Sequence, residues 1–162
     1  MLTRRTLLLT GTTALAAAAT APARAAGSAK GFEITLTDAE WRKRLTPAQF
    51  AVLRKEDTER AGSSPLNAEK RTGTYHCAGC DLPVYRSETK FESGTGWPSF
   101  YAPIENAVGT REDRRLVFLT RTEVHCRRCG GHLGHVFDDG PPPTSMRHCL
   151  NGVALSFKPA VA

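Results

Sequence analysis

Cys126-Arg127-Arg128-Cys129 is the second of two Cys-x-x-Cys motifs in this chain of 162 residues, and 45 residues separate it from the first, Cys77-Ala78-Gly79-Cys80. Two thiolates at this spacing can bind one metal ion from a tight turn, and two such turns complete a tetrahedral site with four sulfur ligands. The repeated motif therefore predicts one structural zinc ion, which would hold the fold together and leave no open position for catalysis. Its predicted ligands are Cys77, Cys80, Cys126 and Cys129.

Two other interpretations of the paired cysteines stay open on sequence alone. In an oxidising compartment the four thiols could form two disulfides. A Cys-x-x-Cys pair can also be a redox-active dithiol. The doubled motif favours zinc, and so do Gly79, Gly130 and Gly131, which allow the backbone to turn tightly.

The first 25 residues have the composition of an export signal. Arg4 and Arg5 precede an apolar run from Leu7 to Ala19, and Ala23-Arg24-Ala25 matches an Ala-x-Ala cleavage site. The adjacent arginines resemble a twin-arginine signal, which exports proteins that are already folded. We therefore expect cleavage after Ala25 and a periplasmic or other extracytoplasmic location. The alternative is an uncleaved membrane anchor, although the apolar run is short and interrupted.

The composition behind this signal is that of one globular domain, with 40% hydrophobic and 23% charged residues in the whole chain. Residues 26–36 are predicted to form a leader and residues 37–160 a single domain. Loss of the three arginines in the signal would lower the formal charge from +6 to +3, which is too small to indicate nucleic-acid binding. Four arginines between positions 111 and 121 form a modest basic cluster, but acidic residues at 112 and 113 interrupt it. A zinc-ribbon nucleic-acid binder is therefore disfavoured.

Two short helices are predicted at the start of the domain. Thr37 and Glu40 form a capping box, in which each side chain binds a backbone N–H of the first turn. Thr46-Pro47-Ala48-Gln49 repeats this signature with proline at the first helical position, and the second helix is expected to run to Gly62. These helices are predicted to cover one side of the fold without taking part in chemistry.

From Gly73 onward, short apolar segments separated by turns indicate β-strands. The predicted strands cover residues 74–76, 83–85, 115–119, 123–125 and 153–157. Many short strands after two helices predict a mainly β (α+β) domain with antiparallel strands and helices at one end.

Cys149 is the one cysteine of five that lies outside a Cys-x-x-Cys pair. It belongs to the segment Met146–Gly152, in which Arg147 and His148 stand directly before it. A free cysteine is often a small buried apolar residue. Cationic neighbours, in contrast, lower the pKa of a thiol and activate it as a nucleophile.

His132 and His135 follow the second cysteine motif directly. Two histidines with a nearby carboxylate could bind a metal, and either histidine taken alone is more often structural. The four cysteines already complete a metal site, so the pair is better suited to acid–base chemistry beside Cys149.

Three segments resemble the type B methionine sulfoxide reductases: Ser93–Phe100 (Ser-Gly-Thr-Gly-Trp-Pro-Ser-Phe), His132–Phe137 (His-Leu-Gly-His-Val-Phe) and Arg147–Asn151 (Arg-His-Cys-Leu-Asn). The cysteine motifs lie among them as in the zinc-bearing members of that family, and the resemblance spans residues 32 to about 158. It implies two antiparallel β-sheets in a barrel-like or tent-like arrangement, with N-terminal helices packed outside.

The resemblance also implies a role for each matching residue. Cys149 would attack the sulfur of the R epimer of methionine sulfoxide and become a sulfenic acid, while His132 and His135 help to protonate the oxygen. In the family, the residue at Trp97 packs on the methyl group of the substrate. The other implied site residues, which bind substrate or support this network, are Phe100, Asp139, Arg147 and Asn151.

One departure from the family changes the expected partners. Many members carry a second, resolving cysteine where this chain has Thr95. If zinc takes four cysteines, Cys149 has no internal thiol, so an external thiol such as a thioredoxin-like protein must reduce it. The expected substrate is methionine R-sulfoxide in proteins or as the free amino acid. The competing hypothesis is a zinc-stabilised binding module that lost catalysis, which retention of Cys149, both histidines and Trp97 disfavours.

Overall fold

The computed structural model describes residues 31–116 and 119–161, and at positions 115, 116 and 119 it describes the backbone alone. The predicted export signal and the first part of the predicted leader lie outside this range. Within the range, no helix is both long enough and apolar enough to span a membrane. The predicted cleavage site and the alternative of an anchor therefore stay predictions.

The two predicted helices form as α1 (Asp38–Arg44) and α2 (Pro47–Lys55). Both predicted capping boxes are present at the threonine before each helix. The expected end of the second helix at Gly62 is wrong, because Glu56 adopts a left-handed backbone with φ of 57°. Its N–H still donates to the carbonyl of Val52, at 3.1 Å. The chain then leaves the helix, and residues 57–64 become a loop that reaches the C-terminal part of the fold.

The described part of the chain contains nine strands in two antiparallel sheets. The smaller sheet has the order β2-β1-β9 and consists of β1 (Gly73–Cys77), β2 (Pro83–Arg86) and β9 (Leu155–Pro159). The larger sheet has the order β3-β4-β8-β7-β6-β5 and consists of β3 (Lys90–Phe91), β4 (Ser99–Phe100), β5 (Val108–Leu116), β6 (Leu119–Cys126), β7 (His132–Phe137) and β8 (Arg147–Leu150). The predicted mainly β class with two antiparallel sheets is confirmed. The barrel-like part of the expectation is not, because neither sheet closes on its first strand.

The limits of the predicted strands differ from those in the structure, and the difference is largest at two places. Residues 115–119 are predicted as one strand, but β5 ends at Leu116 and β6 begins at Leu119, which pairs with it. The C-terminal strand starts later than expected, because Gly152–Ala154 first forms a 3₁₀ turn. Glu59 binds the N–H groups at the start of this turn. Local apolar pattern cannot show a turn that a distant carboxylate stabilises.

The core lies between the two sheets, with α2 packed on β7 and on the 3₁₀ turn before β9. Tyr75 and Tyr85 of the smaller sheet and Phe100 of the larger sheet are fully buried. The ring of Phe100 lies 4.9 Å from that of Tyr75 and 4.6 Å from that of Tyr85, centroid to centroid. Aromatic pairs at such distances contribute about 0.5–1.5 kcal/mol beyond the burial of their area. These contacts join the two sheets behind the site.

Candidate active site and four-cysteine cluster

The four paired cysteines meet in one cluster, as the sequence predicts. The Sγ atoms of Cys77 and Cys129 lie 3.7 Å apart and those of Cys80 and Cys126 lie 3.5 Å apart, and all four lie within 4.8 Å of one another. A disulfide requires about 2.05 Å, whereas a zinc ion with Zn–S distances of about 2.3 Å places its ligands about 3.8 Å apart. All four are free thiols, so the geometry fits a tetrahedral metal ion and not two disulfides.

The two cysteine turns have the same backbone geometry. In each, the residue after the second cysteine has a left-handed backbone, Asp81 with φ of 59° and Gly130 with φ of 66°. The N–H of that residue donates to the carbonyl of the first cysteine, at 2.8 Å in both turns. Cys77 ends β1 of the smaller sheet, and Cys126 ends β6 of the larger sheet. A metal ion in the cluster would therefore tie the two sheets together.

Cys149 lies in β8, directly opposite His135 of β7 and Ser99 of β4. Its side chain faces a cavity of about 140 Å³. The residues that line this cavity are Thr58, Trp97, Arg121, Gly134, His135, Phe137, Cys149, Leu150 and Asn151. The structure thus brings the predicted nucleophile together with Trp97, His135 and Asn151. His132, Phe100, Asp139 and Arg147 lie outside the lining.

Burial raises the pKa of the Cys149 thiol, and a hydrogen bond from Thr95 and the charge of Arg147 offset only part of this effect. Arg147 is therefore a weaker stabiliser of the thiolate than its place in the sequence indicates. Its guanidinium also pairs with Asp139 through two hydrogen bonds of 2.8 Å. Thr95 and Arg147 therefore do not by themselves make Cys149 a thiolate at neutral pH.

His148, the other cationic neighbour expected from the sequence, faces away from Cys149. Successive residues of a strand point to opposite sides of the sheet, and His148 packs in the core, where its Nδ1 lies 3.0 Å from the Tyr85 hydroxyl. Burial lowers the pKa of His148 to about 4. It is therefore neutral at pH 7 and does not activate the thiol, so the interpretation from sequence adjacency is wrong at this residue.

A β-bulge places His132 and His135 on the same side of β7. His132 pairs with His125 and Gly134 pairs with Val124, so Leu133 is an extra residue without a partner in β6. Three residues apart in a regular strand, the two histidines would point to opposite faces. With the bulge their ring centroids lie 5.3 Å apart.

The two histidines differ in access to the cavity. His135 lines it, whereas His132 is 1% exposed and lies behind. Each ring binds a buried carboxylate: Nδ1 of His132 lies 2.8 Å from Glu123, and Nε2 of His135 lies 2.8 Å from Asp113. Burial lowers the pKa of His135, and the hydrogen bond to Asp113 opposes this shift. His135 is therefore the histidine placed to exchange protons with a bound substrate.

These two carboxylates are not among the site residues predicted from the sequence, and Asp113 lies within the predicted basic cluster. Arg111 binds Glu123, and Arg121 binds Asp113 with a nitrogen–oxygen distance of 2.7 Å. Burial alone would raise the pKa of Glu123, but hydrogen bonds from His132 and Arg111 lower it overall. The sequence does contain a signal for these carboxylates: charged residues lie two positions apart, Arg111 and Asp113 in one strand and Arg121 and Glu123 in the next. Residues two apart in a strand point to the same face of the sheet.

Glu59 is a further residue that the sequence placed in a helix and the structure places at the site. Its carboxylate accepts from the N–H groups of Gly152 and Val153, and its carbonyl accepts from the Trp97 indole, at 3.1 Å. Its own N–H donates to the Asn151 side-chain oxygen, at 2.9 Å. The loop after α2 thus fixes Trp97 and Asn151 from one residue.

Two predicted substrate-binding residues do not contact the cavity. Phe100 is fully buried, because it lies opposite His148 and so on the face of the sheet away from Cys149. It supports the core beneath the site and does not line the cavity. Asp139 is exposed and holds Arg147.

Comparison with known proteins shows the family. A model described as SelR domain matches residues 45–159. Peptide methionine sulfoxide reductase MsrB of Pseudomonas putida (strain W619) is 54% identical over 127 residues, which cover 78% of this chain and 96% of that protein. The MsrB of Agrobacterium fabrum is 45% identical, with 78% and 94% covered. The chloroplastic peptide methionine sulfoxide reductase B1 of Oryza sativa subsp. japonica is 50% identical, with 78% and 59% covered. This chain belongs to the SelR-domain family, together with the peptide methionine sulfoxide reductases of the MsrB type.

Proposed function

We propose that this protein reduces the R epimer of methionine sulfoxide, in proteins and as the free amino acid, with Cys149 as the nucleophile. The observation that carries the proposal is a lone thiol in a cavity that Trp97 and His135 also line, in a chain of this family. The same arrangement disfavours the alternative of a catalytically silent binding module, which has no need of an unpaired thiol beside a histidine.

The cavity suits the side chain of methionine sulfoxide. Its volume of about 140 Å³ admits a side chain and not a folded segment. The indole of Trp97 offers an apolar face for the S-methyl group, since contacts between sulfur and aromatic rings are mildly favourable. With the methyl group at Trp97 and the oxygen toward His135, the sulfoxide sulfur faces Cys149 in one epimer only. This placement would select one epimer, and the resemblance to the type B reductases indicates that it is the R epimer.

The proposed reaction balances without an external proton. The Cys149 sulfur bonds to the substrate sulfur while its proton passes through His135 to the sulfoxide oxygen. The hydroxyl group then passes from the substrate sulfur to the Cys149 sulfur: the substrate sulfur–oxygen bond and the new sulfur–sulfur bond break, an oxygen–sulfur bond to Cys149 forms, methionine leaves, and Cys149 is a sulfenic acid. Two electrons move from the thiol to the sulfoxide, so the enzyme must be reduced before the next turnover.

We propose that an external thiol carries out this regeneration. Two thiols, or one dithiol of a thioredoxin-like protein, return the sulfenic acid to the thiol with release of one water and one disulfide. Thr95 has its Oγ1 atom 3.9 Å from the Cys149 sulfur. The position of the family's resolving cysteine is thus adjacent to the nucleophile but holds a hydroxyl, which cannot form a disulfide.

One structural zinc ion at the four-cysteine cluster completes the proposal. When bound, zinc would contribute folding free energy through its four thiolate ligands and supply no catalytic position. The export signal, its twin-arginine character and the extracytoplasmic location are part of the same proposal, because a zinc protein exported in its folded state keeps its metal. Repair of oxidised proteins in that compartment is the expected role.

The epimer-resolved assay tests the function directly. Residues 26–162 are incubated with dithiothreitol and either L-methionine R-sulfoxide or the S-sulfoxide, and methionine is quantified by chromatography. We expect turnover of the R epimer alone, because the cavity at Trp97 and His135 would admit one epimer and the resemblance to the type B reductases indicates R. Equal turnover of the two epimers, or turnover of S alone, would contradict the proposal.

Thr95→Cys is expected to restore an internal disulfide. A thiol at this position lies beside the Cys149 sulfenic acid and condenses with it after one turnover. Without reductant, substrate-treated Thr95→Cys should show a cross-link between the introduced thiol and Cys149 by mass spectrometry, and the native chain should instead be trapped by a sulfenic-acid reagent at Cys149. Thr95→Ser is the matched control and should behave as the native chain. A disulfide from Cys149 in the native chain would refute the external-reductant mechanism.

A further inference from the structure

A buried carboxylate connects His135 to an arginine. Oδ2 of Asp113 lies 2.8 Å from Nε2 of His135 and 2.7 Å from a terminal guanidinium nitrogen of Arg121. Asp113 is 8% exposed, and Arg121 lines the cavity beside His135. One oxygen atom of β5 therefore contacts both a ring nitrogen from β7 and a cation from β6.

This arrangement decides which nitrogen of His135 carries hydrogen. A neighbouring arginine favours the ionised form of a carboxylate, and an ionised carboxylate can only accept hydrogen bonds. Nε2 of His135 must therefore be the donor to Asp113. In neutral imidazole the other nitrogen, Nδ1, is then the acceptor. Since the ring of His135 lines the cavity and its Nε2 is engaged, Nδ1 is the nitrogen left for a ligand.

We propose that Asp113 is a positioning residue for the reaction: it holds His135 with hydrogen on Nε2, so that Nδ1 serves the thiol of Cys149 and the sulfoxide oxygen, and Arg121 holds Asp113. His135 and Cys149 are directly opposite on neighbouring strands, a placement in which side chains meet. Nδ1 takes the proton from the Cys149 sulfur and gives it to the sulfoxide oxygen, so His135 is unchanged after the cycle. The reaction step in this inference rests on the proposed function. The position of the hydrogen on the His135 ring does not depend on it.

The charged and titratable groups around His135 predict pKa shifts of opposite sign in two variants. They come from every neighbouring strand: Asp113, Arg121, Glu123, His132 and Cys149. Asp113→Asn removes a negative charge and destabilises the imidazolium, so the pKa of His135 should fall. Arg121→Met removes a positive charge beside the ring, so the pKa should rise. Removal of either neighbouring charge should shift the pKa of His135 by about one unit or more.

The first test measures the tautomer in the native protein without substrate. Long-range ¹H–¹⁵N spectra at neutral pH, with the His135 signals assigned by their loss in His135→Gln, should show hydrogen on Nε2 and none on Nδ1. Hydrogen on Nδ1 would overturn the proposal. This result stands whether or not the chain reduces methionine sulfoxide, so it is separable from failure of the proposed function.

The second test follows His135 in variants by NMR titration and by the pH profile of kcat/KM. Asp113→Asn should move the titration midpoint of His135 and the pH profile of kcat/KM to lower pH by about one unit. Arg121→Met should move the same two quantities to higher pH. Asp113→Asn should also lower kcat by about 10- to 100-fold with a smaller change in KM. Asp38→Asn, which breaks the exposed ion pair with Lys55, is the charge-matched control and should leave both unchanged.

Two outcomes of this test overturn the inference. One is a shift of the His135 pKa in the same direction in both variants, which would mean that general destabilisation, and not the charge at the carboxylate, changes this pKa. The other is a native pH profile in Asp113→Asn. If Asp113→Asn does not fold, the native tautomer still decides, because hydrogen on Nδ1 of neutral His135 would leave Nε2 unable to donate to Asp113.

Discussion

Cys149→Ser is expected to lower kcat/KM for methionine R-sulfoxide by about 10⁴-fold or more while the protein keeps its fold. The loss is this large because a serine hydroxyl is a far weaker nucleophile than a thiol and no other group in the cavity can accept the oxygen. Removal of a nucleophile costs about 10⁴- to 10⁶-fold in enzymes where it has been measured. Burial already raises the pKa of the thiol, so a serine, with a still higher pKa, cannot be ionised by the same surroundings.

The measurement is a single-turnover assay with substrate in excess and no reductant, which counts methionine released per chain. Native protein should release about one methionine, since one thiol is oxidised once, and Cys149→Ser should release none. Thr95→Ser, which changes a neighbour of the thiol and keeps its hydroxyl, is the matched control and should behave as native. Release from Cys149→Ser would remove Cys149 from the mechanism and would indicate that the clustered cysteines take part.

Cys126→Ser is expected to have the largest effect on stability. Cys126 ends β6 and Cys77 ends β1, so loss of the metal would remove a link between the two sheets in addition to the aromatic contacts that join them. Loss of a structural metal is among the few single changes that cost more than about 4 kcal/mol. A domain of this size loses roughly 3–5 °C of Tm for each kcal/mol. We therefore expect a Tm at least about 12 °C lower, or a chain that does not fold.

Zinc content and thermal unfolding check this prediction together. Native protein should contain about one zinc per chain, and Cys126→Ser should contain little. Cys149→Ser makes the same chemical change at the unpaired cysteine and is the matched control: its zinc content and Tm should be native. A metal-free native protein with two disulfides, or a Cys126→Ser variant with native Tm, would refute the zinc assignment and reopen the count of free thiols.

These two variants separate the two kinds of cysteine that the sequence already distinguishes by spacing. Cys-x-x-Cys motifs report a turn, and a turn brings its own thiols together whatever the rest of the fold does. The capping boxes before α1 and α2 are equally local, because the donor and acceptor are three residues apart. For the same reason the family motifs around Trp97, His135 and Cys149 could be recognised from the sequence, and these residues do meet at one cavity.

Features that depend on strand register could not be predicted from the sequence. His148 is adjacent to Cys149 in the chain but on the other face of the sheet, and Phe100 shares that face. His132 and His135 share a face only because of the bulge at Leu133, which the pairing with β6 imposes. A single extra residue inverts the direction of every later side chain, so the faces cannot be assigned before the partners are known.

The sequence by itself determined which cysteines form Cys-x-x-Cys pairs and which one does not, where the two helices begin, the mainly β class and the family. Each of these depends on residues close together in the chain or on the order of motifs along it. Tertiary structure alone decided that Asp113 and Glu123 hold the histidines and that Glu59 fixes Trp97 and Asn151. These contacts join residues 9 to 92 positions apart. The physical reason is that buried charged and polar groups must find hydrogen-bond partners, and the tertiary packing of strands and loops, not sequence distance, determines which partner each group meets.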